Sequence, residues 1–340
     1  MTWTVVIGID THRDSHSACA LDRLGRARGE FELAAEPAGY ESLWRWACSL
    51  GEPAFALEGA GSYGAGLARH LTGCGASVYE CERPTRRDRR RGKSDQLDAA
   101  AAARRLLSGE GLAELRGGGE REQLRVLLVE RRSARQAQTA ALNQLHALVI
   151  TAPPRLRSRL ERLRGLPLAR RAAGLRSSEG PAPVLRRLGR RVLALAAEAG
   201  EVDAELARLV AAQAPALLEE CGVGPICAAQ LLVSSGDPGR MRSEAAFAAL
   251  GGTSPVDASS GRQQRHRLNR GGDRQLNAAL HVIALNRKRA HAATRAYYER
   301  LLASGKTKRE ALRCVKRMLA RHFYRQLRTI RPAALVEAAP

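Results

Sequence analysis

Residues 3–10 read WTVVIGID, an apolar and largely β-branched run that stops at a carboxylate. Such a run reads as a buried strand. HSACALD and RGEFELA, joined by the turn LGRA, extend it into a meander with two more strands. After Pro37, GYESLWRWACSLG has helical periodicity, and PAFALEG then gives a fourth strand ending at Glu58. A helix near 63–73, the strand ASVYECE, the basic loop RPTRRDRRRGK and a helix from about Ser94 complete the series. Three antiparallel strands followed by βαβα is the element order of a ribonuclease-H-like α/β domain.

The pattern changes after residue 115. EREQLRVLLVERRSARQAQTAALNQLHALVI is one long helical stretch, halted by Pro153 and Pro154. Residues 166–185 read as a loop, and RRVLALAAEAGEVDAELARLVAAQ is a second long helix. Two amphipathic helices around a break form either a helical hairpin or a coiled coil with another copy. From about residue 215 the chain is helical again. The Gly-Val-Gly of ECGVGPICAAQLL is a turn between helices, where backbone N–H groups face either a phosphate or nothing in particular. The organisation expected is therefore α/β plus all-α. It comprises a catalytic domain over 1–115, a helical or coiled-coil connector over 116–214, a C-terminal domain over 215–330 and a tail over 331–340.

Charge narrows the partners. Lysine and arginine total 56 against 34 acids, a net charge of +22, and nearly all of the positive charge is arginine. An excess of this size favours polyanions and steers them electrostatically. Aromatic residues are only 4%, which disfavours binding of single strands on an aromatic platform. With no run of about 18 uncharged apolar residues, a membrane span is excluded. The opening residues lack a basic n-region, so the expectation is a cytoplasmic protein. Seven scattered cysteines without CxxC or zinc spacing fit reduced thiols.

Four carboxylates carry the chemistry. Asp10 and Glu58 each close a predicted strand, and parallel neighbours present such ends to one crevice. Asp95 and Asp98 are three apart on a predicted helix, which places them on one face with Cβ atoms about 5–6 Å apart. The alanines that come after them let that helix lie close to the sheet. If it crosses the strand ends the four acids converge, and ionised acids so crowded need a cation. Oxygen ligands of this kind select Mg²⁺, or Mn²⁺, over zinc. Taken singly, Asp95 and Asp98 could instead complement the helix dipole, and Asp10 could begin a turn.

GIDTHRDSHSACALD, ALEGAGSYGAGLARHL and GKSDQLDAAAAARRL resemble the three carboxylate motifs of DEDD-type insertion-sequence transposases. The resemblance continues through ECGVGPICAAQLL, SEAAFAALGGTSPVDASSG and NRGGDRQLNAALHVIA, so it covers nearly the whole chain. It implies a RuvC-like N-terminal domain whose tetrad is Asp10, Glu58, Asp95 and Asp98, and a C-terminal transposase domain bearing a catalytic serine. A proline, four residues, then Ser-Gly place that serine at Ser260, with Ser259 as the alternative one position away. Some members carry paired arginines where this chain has Asn277 and Ala278.

The stretch SPVDASSGRQQRHRLNRGGDRQL, which holds these serines, has no apolar periodicity. By itself it reads as a turn, since serine and glycine favour loops. The resemblance makes Ser260 a nucleophile that keeps a DNA strand attached through a phosphoserine bond, so that another strand end can later displace it. Arg262, Arg265, Arg267 and Arg270 then hold phosphate oxygens, or form a non-specific basic patch. The resemblance further implies DNA as donor and target, a noncoding bridge RNA as guide and a homo-oligomer, dimer or tetramer. Two other readings stay open: a metal-dependent nuclease or junction resolvase using activated water, and a non-catalytic nucleic-acid-binding derivative.

Overall fold

The computed structural model describes residues 3–81, 94–109, 112–115, 120–236, 243–257, 266–267, 269 and 271–330. The chain divides into two compact units, Met1–Gly118 and Gly119–Pro340.

In the first unit β1 (Val5–Thr11), β2 (Ser15–Asp22) and β3 (Ala27–Ala34) form the expected meander. Asp22 turns β2 into β3 by accepting from the backbone N–H groups of Leu24 and Arg26, both at 2.9 Å. Next come α1 (Pro37–Ser49), β4 (Pro53–Glu58), α2 (Ala65–Gly73), β5 (Ser77–Cys81) and α3 (Asp95–Ser108). A short strand, β6 (Leu112–Glu114), ends the unit and was not anticipated from sequence. The sheet runs β3-β2-β1-β4-β5-β6, with β1, β4 and β5 mutually parallel and the remaining pairs antiparallel. That is the mixed sheet the element order implied.

Every residue of β1 is buried, because both faces of the strand are covered. Val5, Ile7 and Ile9 join Phe55 and Leu57 under α1 and α2. Val6 joins Ala54, Ala56 and Cys81 under the alanines of α3. Between Val6 and Asp10 on this second face stands Gly8. A Cβ there would lie 2.0 Å from the Ala99 carbonyl oxygen and 2.2 Å from the Ala103 nitrogen. The absent side chain at Gly8 and the alanine run Ala99–Ala103 thus let α3 rest directly on β1.

The second unit is helical apart from one two-stranded ribbon among its described residues. Its long helices are α4 (Glu120–Ile150) and α7 (Ala182–Gln213), with α5 (Pro154–Arg157) and α6 (Gly165–Ala173) between them. Residues 166–185, read from sequence as a loop, therefore contain α6 and the start of α7. The reading failed because Gly165, Pro167 and Gly174 punctuate the segment. Even so, Leu168, Ala169 and Ala172 make a buried stripe, seated where a Cβ on Gly189 would meet the Ala169 carbonyl at 2.6 Å. Buried residues of α4 recur at three- and four-residue spacing in two runs, Leu124 with Leu128 and then Ala134, Gln138, Ala141, Leu145 and Val149. Leu124 and Leu128 share a cluster with Val202, Leu206 and Leu209, while Leu145 and Val149 share another with Leu185 and Val192. The two helices are therefore antiparallel. Asp203 ties them midway by accepting from Arg131 and from Arg135 Nη2, the latter at 3.0 Å.

The remaining elements are α8 (Pro215–Glu219), α9 (Pro225–Ser235), α10 (Glu244–Leu250), the ribbon β7 (Val256–Asp257) with β8 (His266–Arg267), α11 (Arg274–Ala290), α12 (Ala292–Ala303) and α13 (Lys308–Leu327). Their core centres on Phe247, Leu276, Leu280, Ile283, Val315, Leu319 and Phe323. The Gly-Val-Gly turn connects α8 and α9. There Gly222 takes φ +81°, which suits glycine, and Glu220 accepts from Arg287 and Gln326 and meets His322 Nε2 at 2.9 Å. No helix among the described residues is long and apolar enough to cross a membrane.

Candidate metal centre

Period-2 alternation decides which side chains meet on the sheet. Gly8 and Asp10 share the face of β1 that α3 covers, as do Ala56 and Glu58 on β4. Gly8 pairs with Ala56 and Ile9 with Leu57, so the next position along the two strands is Asp10 beside Glu58. Neighbouring strands lie about 4.8 Å apart. The Thr11 hydroxyl donates to the Glu58 carbonyl oxygen at 2.6 Å and fastens the two strand ends together.

The third element arrives from α3. Ser94 caps the helix by accepting from the Leu97 N–H at 3.3 Å, and Asp95 and Asp98 occupy the first turn. Contact at Gly8 sets how far along β1 the helix sits, and so brings that turn to the Asp10 end. Between the carboxylates lies His12, whose Nε2 is 3.2 Å from Asp10 Oδ2 and 3.3 Å from Asp95 Oδ1. Asp10, His12 and Asp95 offer one ligand atom each, all within 4.8 Å of one another.

The electrostatics disfavour a negative charge on Asp10. Burial pushes the Asp10 carboxyl above its ordinary pKa; His12 opposes this, while the negative charges of Asp98 and Asp95 add to it. Asp10 is only 7% exposed, whereas the Asp95 side chain is about half exposed. One buried carboxylate beside open ones suits a bound cation that stays in contact with solvent or substrate. Carboxylate oxygens fit a hard divalent ion, and the one imidazole is a donor that Mn²⁺ tolerates better than Mg²⁺. The residues present thus fit a divalent ion on chemistry and on spacing.

Of the acids picked out by sequence, Asp10 and Asp95 share His12, and Asp98 is close enough for its charge to act on Asp10. Glu58 occupies the adjacent strand end, half-buried, beside Cys81 in the β4–β5 register. Its carboxylate is not in the three-residue cluster. Arg267 is exposed on β8. Ser259, Ser260, Arg262, Arg265 and Arg270 lie outside the described residues. His12 is the residue that sequence reasoning missed. Its signal was its place two residues beyond Asp10, where the strand ends.

Comparison with known proteins gives this arrangement a family. Residues 7–154 match the DEDD-type IS110 transposase model, whose span contains Asp10, Glu58, Asp95 and Asp98, and residues 214–299 match that of the transposase IS116/IS110/IS902 family. The chain belongs to the IS110 family of transposases. It is 39% identical over 99 residues to the insertion element IS110 uncharacterized 43.6 kDa protein of Streptomyces coelicolor. That match covers 29% of this IS110-family chain and 24% of the relative, so the chain spans about a quarter of that protein's length.

Proposed function

We propose that this chain is a DNA recombinase of a mobile insertion sequence, which cleaves and rejoins strands by divalent-metal-dependent phosphoryl transfer. The observation that carries the reading is the delivery of Asp95, through the α3–Gly8 contact, to within one imidazole of buried Asp10. Asp10, Glu58, Asp95 and Asp98 are the residues that would hold Mg²⁺, or Mn²⁺ in its place. The ion would supply Lewis acidity at a phosphate and lower the pKa of a bound oxygen nucleophile.

Ser260 is the proposed nucleophile, with Ser259 the position to test beside it. Its Oγ forms a bond to the scissile phosphorus while one strand oxygen departs and takes up a proton. The other strand end stays on the protein as a phosphoserine diester, so bond energy is conserved until a new strand end displaces it. Arg262, Arg265, Arg267 and Arg270 offset the charge that builds on the phosphoryl oxygens. In this reading the DNA partners are donor and target sites, a noncoding bridge RNA selects them, and the working species is a homo-oligomer.

The test is covalent capture. Full-length protein incubated with labelled element-end DNA and Mg²⁺ is expected to give a denaturant-resistant protein–DNA adduct, absent in Ser260→Ala and in Asp10→Asn. Cleavage that continues in Ser260→Ala without any adduct would assign the chemistry to an activated water and make the chain a nuclease.

A further inference from the structure

A second polar cavity lies wholly within the helical unit, and the metal site does not use it. It encloses about 670 Å³ between the Gly252–Pro255 loop, α12 and α13. Among the described residues six cations line it (Arg267, Lys306, Arg313, Lys316, Arg317 and Arg321), and the one acid on its wall is Glu310. Glu310 is occupied by the α13 capping box, accepting from the Thr307 hydroxyl at 2.7 Å and the Thr307 N–H at 2.9 Å. Glu244 partly neutralises Arg321 and Arg317, at 2.8 and 3.1 Å.

Two features mark an anion site here. Lys316 is 6% exposed, and the partner of its ammonium is a neutral group, the Asn277 amide oxygen at 2.6 Å. An ammonium has three donors, and burying its charge without a counter-charge is costly. Burial, followed by the charge of Arg313, holds this lysine below its ordinary pKa. On the next residue, Arg317 Nη1 is buried with no hydrogen-bond acceptor. An oxyanion in the cavity would supply the counter-charge that Lys316 lacks, and Arg317 lines the same space. The space is larger than a phosphate needs, and falls in the range of about 300–1,000 Å³ typical of small-molecule pockets. Tyr297, Met318 and Cys314 supply a less polar part of the wall, and Asn269 and the Gly252–Pro255 loop complete it. Tyr297 already carries Arg300 against its ring, with 5.8 Å from Cζ to the centroid.

We infer that this cavity takes one unstacked nucleotide of a nucleic-acid strand, its phosphate on Lys316, Arg313 and Arg317 and its base against Tyr297 and Met318. The inference rests on the proposed nucleic-acid function and adds a ligand form to it: a bulged or flipped nucleotide rather than paired backbone. An aromatic face beside a cluster of cations is the arrangement by which proteins hold single unpaired bases without reading their sequence.

Fluorescence anisotropy with the full chain tests it, using a fully paired duplex and the same duplex with one bulged nucleotide, each as DNA and as RNA. The bulged form should bind more tightly. Tyr297→Leu should erase that preference, a loss of about 5- to 150-fold, while leaving the paired duplex unaffected. Lys316→Gln and Arg313→Gln should each weaken the bulged complex and reduce its log–log salt slope by about one. Whichever nucleic acid shows the larger preference is the source of the nucleotide. Because Lys316 is buried, Arg313→Gln and Tyr297→Leu serve as the variants whose unchanged thermal melting is checked first. Wild-type protein that binds paired duplex in a salt-dependent manner but ignores the bulge would overturn the pocket and leave the recombinase reading standing. So would natively folded variants that keep the full preference. Protein that binds no nucleic acid at all would overturn both.

Discussion

A buried carboxylate with further acids around it is costly to ionise, and Asp10 is in that position: burial and the charges of Asp98 and Asp95 outweigh the opposing effect of His12. Its raised pKa fixes the sign of a pH effect. The folded state binds the Asp10 proton more tightly than the unfolded chain does, so this stabilisation is complete below the unfolded pKa and is lost as pH rises through the higher folded value. At neutral pH the ionised group therefore destabilises the metal-free fold. Asp10→Asn is expected to raise the melting temperature of metal-free protein at neutral pH and to abolish the stabilisation that Mg²⁺ or Mn²⁺ gives the wild type. Thermal melts with and without each ion check both parts. Asp10 and Glu58 were legible in the sequence because each closes an apolar run that can only be a strand. His12 was not, since THRDSH reads as a polar turn, and only the fold carries Asp95 across to meet it. Ser259, Ser260, Arg262, Arg265 and Arg270 lie outside the described residues, so they are named by sequence alone.

At the scale of elements, the seating of α3 on β1 is the step that brings Asp95 to Asp10. The sequence showed an alanine-rich helix and a glycine in a strand, but not that the two face each other, because pairing across a sheet face is a tertiary fact. Gly8→Ala should force α3 away from β1 and destabilise the protein by about 1–3 kcal/mol, as overpacking does. It should also weaken divalent-ion binding, although residue 8 offers no ligand. Gly73→Ala is the control: its Cβ meets nothing within 4 Å, so the same chemical change at the end of α2 should be neutral or mildly stabilising. Denaturant unfolding and ion titration of the two variants separate local packing from the general effect of replacing glycine. β1 was easy to read because it is buried throughout: two covered faces demand an unbroken apolar run. The short helix α6 was hidden because its punctuation outweighed a stripe only three residues deep.

For the whole molecule, the surplus of 22 positive charges sets how binding responds to ions in solution. Affinity for duplex DNA should fall steeply with salt, with a log–log slope of about −0.9 for each phosphate neutralised. Titrations at several salt concentrations measure it, and a flat response would remove charge as the basis of recognition. The paired helices α4 and α7 bear on a different property. Their apolar clusters sit at opposite ends, and between them lie small residues, Ala134 and Ala199, with the Asp203 clasp. Seven residues added to each helix within that waist would carry the tip outward by about 10 Å and disturb neither cluster. Reach is thus set by the waist, separately from the packing at either end of the arm.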